Sequence, residues 1–272
     1  MPRLEDRQIG AMNEQRQAQA IRDLADECVP IGGGFATFTP GVPWINHATC
    51  VGFGVDVGEA ELDRMEAFYG ERGVTPKIEL TTFATESFLG ALARRGYTTE
   101  NFENVLARPL DPAEDPFCAM THPRDPAVEI RRTDAADAGA CRAHAVVVTR
   151  EFCAGEVPEE HIAMAVRALR HPRSVAFTAW VGGELVAGSG MEIFASGGER
   201  ICSLWGTAVR EPYRRRGIQQ ALIARRLAWA VEHGCSAAII ESKPGVATER
   251  NAAHMGFALA YVRVCMAKGP PA

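Results

Sequence analysis

The chain has 272 residues, of which 47% are apolar and 23% charged, and its formal net charge is −5. This composition excludes a disordered or fibrous chain and gives enough length for two modules with cores of ordinary size. A net negative charge supplies no global basic field, so nucleic acid is not an expected partner.

In chain order, Arg3 to Cys28 reads as an amphipathic helix with Ile9, Met12, Ile21 and Leu24 among charges. From Cys28 to Val55 there is no formal charge, but Pro30, Pro40, Pro43 and Gly32-Gly33-Gly34 interrupt the stretch. Strands and turns are expected there rather than a membrane span, with Thr49–Val55 as one strand. Glu59–Tyr69 reads as a helix, Pro76–Thr81 as a strand, Thr85–Arg95 as a helix closed by Gly96, and Phe102–Leu110 as a closing strand. The proline-rich residues 111–126 are the expected linker. Beyond it, Val128–Arg132 is an expected strand, and Ala135–Thr149 and Pro158–Leu169 are helices. Val175–Val181 and Leu185–Phe194 form a hairpin at Gly182-Gly183. Ile201–Val209 (strand), Ile218–His233 (helix), Ala237–Glu241 (strand), Ala247–Met255 (helix) and Leu259–Ala267 (strand) complete the pattern. Strands alternating with helices, plus a hairpin, predict an α/β protein with sheets of mixed direction.

The halves share a pattern. Glu71-Arg72-Gly73, a strand, a helix and Gly96-Tyr97 in the first match Glu232-His233-Gly234, a strand, a helix and Gly256-Phe257 in the second. Two copies of one fold are expected, in domains 1–110 and 127–272. They differ at one turn. In the second half Val209 is followed by Arg210-Glu211-Pro212-Tyr213-Arg214-Arg215-Arg216-Gly217-Ile218-Gln219, a strand running through a basic turn into a long helix. A helix start presents unpaired N–H groups and partial positive charge, Gly217 permits close approach, and arginines add charge-assisted bonds, so a phosphate fits. The equivalent turn of the first half, Asp56-Val57-Gly58-Glu59-Ala60-Glu61, carries carboxylates that repel a pyrophosphate. The alternatives for the arginine run are a solvated loop or a nucleic-acid patch. Its place between strand and helix and the overall negative charge favour the anion site.

The start Met-Pro-Arg-Leu-Glu-Asp-Arg lacks the apolar stretch of a secretory signal. The 8 cysteines contain no C-x-x-C pair, so reduced thiols in a cytoplasmic protein are expected, with no metal site. Gly32-Gly33-Gly34 follows no clear strand and opens no helix, which excludes a dinucleotide fingerprint, and no G-x-S-x-G elbow supports a serine triad. The residues carry no signal for a particular oligomeric state.

At Arg214–Gln219 the chain resembles the GNAT (Gcn5-related N-acetyltransferase) superfamily, whose pyrophosphate signature is Arg/Gln-x-x-Gly-x-Gly/Ala. Arg214-Arg215-Arg216-Gly217 match it, and Gln219 stands where a small residue is usual. The order of elements over about 127–267, Asn251, and Gly256-Phe257 are similar too. The resemblance implies an α/β fold of two GNAT-like modules, each a mixed, mostly antiparallel sheet flanked by helices, the N-terminal copy degenerate. It implies acetyl-CoA as cosubstrate and a small-molecule primary amine as acceptor, attacking the thioester directly in a ternary complex. It places the cofactor on Thr207, Ala208, Val209, Arg214, Arg215, Arg216, Gly217, Ile218, Gln219 and Asn251, with a backbone N–H in Thr207–Val209 polarising the thioester carbonyl. The strand Cys202–Val209 lacks the carboxylate many members carry there, and Ala252 stands where many have a tyrosine acid. Glu192, Glu241 and His254 are therefore the candidate acid–base groups. Glu156-Val157-Pro158-Glu159-Glu160 is a candidate acidic rim for a cationic acceptor. A non-catalytic CoA-binding or sensing module is the other reading of the missing groups.

Overall fold

The structure is a computed structural model. It describes residues 6–153 and 155–269. Two compact units divide it: one holds residues 6–105 together with residues 259–269, the other residues 106–258 apart from the undescribed residue 154.

In the first unit, α1 (Asp6–Leu24) leads into β1 (Glu27–Ile31) and β2 (Gly34–Phe38), an antiparallel hairpin. Gly32 and Gly33 make its turn with φ of 47° and 84°, a region where a side chain is strained. β3 is only Ala48–Thr49. The strand expected over Thr49–Val55 stops there because Cys50, Gly52 and Gly54 take φ of 58°, 75° and 71°, which no strand accommodates. The Gly52 N–H instead bonds Gly32 O at 2.9 Å. α2 (Glu59–Gly70), β4 (Lys77–Thr81) and α3 (Glu86–Arg94) follow, and Thr85 caps α3 by accepting from the Phe88 N–H. Leu62, Met65 and Tyr69 of α2 and Phe88 and Leu92 of α3 pack on Ile31, Ile78 and Leu80 from the sheet. β5 (Tyr97–Pro109) begins in this unit and ends in the next.

The second unit continues with β6 (Val128–Arg132), α4 (Ala138–Phe152), α5 (Glu159–Leu169), β7 (Ser174–Val181), β8 (Glu184–Ser196) and β9 (Glu199–Val209). It is completed by α6 (Ile218–Glu232), β10 (Ala237–Ser242) and α7 (Ala247–His254). Its strands lie in the order β10-β9-β8-β7-β6, antiparallel except for the parallel pair β9–β10. Leu222, Ile223 and Leu227 of α6 cover Phe177, Met191, Cys202 and Ala238 of this sheet. The predicted elements of this half are present in the predicted order up to α7.

Two features depart from the sequence reading. β11 (Ala258–Lys268), expected to finish the second half, pairs antiparallel with β4 of the first unit, with Arg263 opposite Thr81. A strand's alternating pattern defines its faces but not the edge that receives it, so its partner was not readable locally. Residues 111–126, expected as a linker, are built into the second unit: Gln220 of α6 accepts from the N–H groups of Thr121 and His122, both at 3.0 Å. All eight cysteines are free. Among the described residues no helix is long and apolar enough to cross a membrane, and no group of three or more His, Cys, Asp or Glu could hold a metal ion.

Candidate acyl-donor site

A cavity of about 550 Å³ opens where β9 ends and α6 begins. This is the size of a small-molecule site. Its floor is made by Thr207, Ala208 and Val209, and β9 is irregular there. Gly188 pairs with Ala208 and Gly190 with Trp205, so Ser189 alone faces both Gly206 and Thr207. That is a β-bulge, and Gly206 takes φ 56° within it. A bulge bends its strand and leaves backbone groups outside the ladder.

The far wall is the start of α6. Gly217 is its N-cap with φ 69°, and among the described residues no side chain caps the helix. The first N–H groups of the 15-residue helix therefore have no intrahelical partner, and the positive end of its dipole lies at the cavity. Gly217 has a second reason to be glycine. A Cβ there would sit 2.5 Å from Pro123 O and 2.9 Å from Pro123 C, so the preceding segment fills the space that the sequence reading reserved for ligand.

The three arginines are not equivalent. Arg214 lines the cavity and is held by Glu151 at 2.7 Å. Arg216 does not line it; both Nε and Nη2 donate to Asp125, at 2.9 and 2.6 Å, which fastens the turn to the segment before β6. This pairing, with the Ala127 N–H ahead of it as a cause, holds the Asp125 carboxyl below its usual range. Arg215 lines the cavity, is exposed, and makes no ion pair among the described residues. It is also one of two non-glycine residues with positive φ among the described residues, the other being Cys50 in the first unit, and its φ is 63°. Such strain, about 1–2 kcal/mol, makes a residue worth examining for function.

Gln219 lines the cavity. Its amide donates to Thr248 at 3.3 Å and accepts from Asn251 at 2.6 Å, which draws it toward α7. Ile218 and Asn251 also line the cavity. The candidate acid–base groups do not. Glu192 is buried in β8 and takes Arg173 Nε at 2.6 Å; Glu241 lies in β10, and His254 is exposed at the end of α7. In the expected acidic rim, Glu159 is paired with Arg142 at 2.9 Å. The sequence reading missed Glu151, Phe152 and His122, all of which line the cavity. Phe152 is 66% exposed at the end of α4, and an apolar ring at a helix terminus was the available signal.

The sequence over residues 145–257 matches the model of the acetyltransferase (GNAT) family. Residues 145–257 are a GNAT acetyltransferase domain. The GNAT domain thus spans the second half of α4, the bulge, the basic turn and α7. The family implies acyl transfer from acyl-CoA. No curated protein matches the chain. Among solved structures, a GCN5-related N-acetyltransferase from Kribbella flavida is 16% identical, with a TM-score of 0.67 over 96% of this chain and 95% of that one. A tandem GNAT protein from the clavulanic acid biosynthesis pathway is 12% identical, with a TM-score of 0.65 over 99% and 98%. A GCN5-related N-acetyltransferase from Sphaerobacter thermophilus is 17% identical, with a TM-score of 0.55 over 79% and 70%. At these identities the likeness is one of fold. It extends the GNAT fold beyond the matched domain to nearly the whole chain, in keeping with a tandem arrangement.

Proposed function

We propose that the second unit transfers an acetyl group from acetyl-CoA to a primary amine of a small molecule. The observation that carries this reading is the meeting, in one cavity, of the bulged end of β9, the uncapped start of α6 and the unpaired Arg215. The α6 amides and Arg215 fit the diphosphate, while Arg214 stays paired with Glu151. The bulged backbone at Gly206–Thr207 fits the thioester carbonyl, as a donor aimed at developing negative charge. The amine nitrogen attacks that carbon. The new C–N bond forms as the C–S bond breaks, CoA leaves as the thiolate, and the amine gives up its proton. Holding both reactants side by side supplies much of the rate. The proton leaves through water, because Glu151 is the single carboxylate among the described lining residues and Arg214 holds it. To the N-terminal unit, with Glu59 and Glu61 in the first turn of α2, we assign a structural or substrate-shaping role.

The test is release of free thiol from acetyl-CoA across a panel of small amines. Amine-dependent release is expected; its absence over a broad panel counts against transfer. A second reading, a CoA-binding module without turnover, is favoured by one observation: Glu192, Glu241 and His254 all stand off the cavity. Calorimetric binding of CoA with no thiol release selects it.

A further inference from the structure

α6 buries an arginine that the proposed chemistry has not used. Arg226 is 1% exposed. Its three nitrogens bond neutral acceptors: Nε donates to Leu222 O at 3.0 Å, Nη1 to Gly190 O at 2.9 Å, and Nη2 to Thr207 Oγ1 at 2.8 Å. No carboxylate reaches it among the described residues. Burial pushes its pKa down to about 9. A buried charge without a counter-ion is unfavourable, and an apolar side chain of similar volume is often neutral or stabilising in its place. Packing alone does not account for a guanidinium here.

The two outer nitrogens fall on opposite strands of the bulge. Gly190 lies on β8, and Thr207 is one of the two β9 residues that share Ser189. One planar fork therefore joins the strands where regular pairing lapses. Gly190 itself is closely packed, since a Cβ there would lie 2.5 Å from the Trp205 ring. Thr207 also lines the cavity, so the clamp ends at the wall of the site.

We propose that Arg226 is a positioning residue for acyl transfer: from the core it clamps both strands of the β8–β9 bulge and so aims the Gly206–Thr207 backbone at the thioester carbonyl. This rests on the assignment of the cavity to acetyl-CoA. Lysine keeps the charge but cannot bridge two acceptors with a rigid fork, so Arg226→Lys separates the fork from the charge.

The experiment records the carbonyl resonance of [1-13C]acetyl-CoA bound to the full chain, with calorimetric affinity and melting temperature, for the wild type, Arg226→Met, Arg226→Lys and Thr207→Val. Binding to the wild type is expected to move the resonance downfield. Arg226→Met is expected to bind within about threefold and melt within a few degrees of the wild type, with the resonance back near its free position and thioester turnover lower by about 100-fold. Arg226→Lys is expected to resemble Arg226→Met. A resonance in Arg226→Met that stays at the wild-type bound position overturns the proposal, as does a parallel loss of affinity and melting temperature with turnover per bound enzyme unchanged. Should Arg226→Met not fold, Thr207→Val must show the same loss of shift, and an unmoved resonance there overturns the clamp. Should the wild type bind no acetyl-CoA, the cavity assignment fails separately. Hydrogen exchange at residues 187–190 and 205–208 then decides the clamp, with faster exchange in the variants supporting it and unchanged protection overturning it.

Discussion

Arg215 and His144 show how differently single residues serve this fold. Arg215 holds a left-handed backbone, faces solvent, and has no ion pair among the described residues. Its neighbours Arg214 and Arg216 are engaged by Glu151 and Asp125. Arg215→Ala is therefore expected to weaken acetyl-CoA binding about tenfold, the loss of one hydrogen bond to a charged group, without changing the melting temperature. Calorimetry and a thermal melt check both halves. Gly217→Glu is a poorer probe, because the side chain meets Pro123 before any ligand. His144 is buried on α4, with its Nδ1 2.9 Å from Thr133 Oγ1. Burial, then the charge of Arg226, pushes its pKa down to about 4. Folded His144 stays neutral while the unfolded chain takes up a proton below roughly pH 6.5. The stability from this site is thus full above that pH, falls as the pH drops toward 4, and amounts to about 3 kcal/mol over the window. Urea unfolding of His144→Gln across pH 4 to 7 is expected to show a flatter pH dependence than the wild type. An identical slope would place the titration on other groups.

At the scale of elements, α1 and β11 are joined by a buried polar network rather than by an apolar seam. Glu14 of α1 accepts from Tyr261 at 2.6 Å and Arg263 at 2.7 Å, and Asn13 donates to Tyr261 at 3.0 Å. Arg263 also donates to Glu103 at 2.7 Å, while Gln17 donates to Glu79 at 2.6 Å. Burial pushes the Glu79 carboxyl up, but His47 and Arg263 outweigh it and hold it down to about 2. Removing Glu14 takes a fully buried acceptor away from both Tyr261 and Arg263, although Arg263 keeps Glu103. Glu14→Ala is expected to destabilise the chain by about 3–5 kcal/mol in denaturant unfolding. A loss below about 1 kcal/mol would mean the pair is screened like a surface one. Helix periodicity places Ile9, Met12, Ile21 and Leu24 on the apolar face; Ile9, Met12 and Leu24 are buried and Ile21 is half-buried. It did not anticipate Asn13, Glu14, Arg16 and Gln17 beside them, because Asn13, Glu14 and Gln17 bond groups in β11 or β4 while Arg16 donates to Asn13 at 3.0 Å.

At the scale of the molecule, the two units are not two consecutive stretches of chain. The segment from Leu259 belongs with the first unit, through the pairing of β11 with β4. Truncation after Ala258 is therefore expected to expose residues 6–105 to proteolysis while residues 106–258 still bind acetyl-CoA. Limited proteolysis with mass mapping, alongside calorimetry, checks this. Cleavage confined to 106–258 would be the opposite result.

The sequence alone determined the α/β class, the order of elements in the second half, and the strand–basic turn–helix unit at Val209–Ile218. Each of these is local, since hydrophobic period, glycine position and helix-start chemistry act within a few residues. Tertiary structure decided the rest. It took Arg216 out of the cavity by pairing it with Asp125, and brought in Glu151 and His122. It introduced the bulge at Gly206–Thr207 with Arg226 beneath it, and carried β11 to the other unit. All of these depend on which distant groups meet, and chain connectivity does not encode that in any short window.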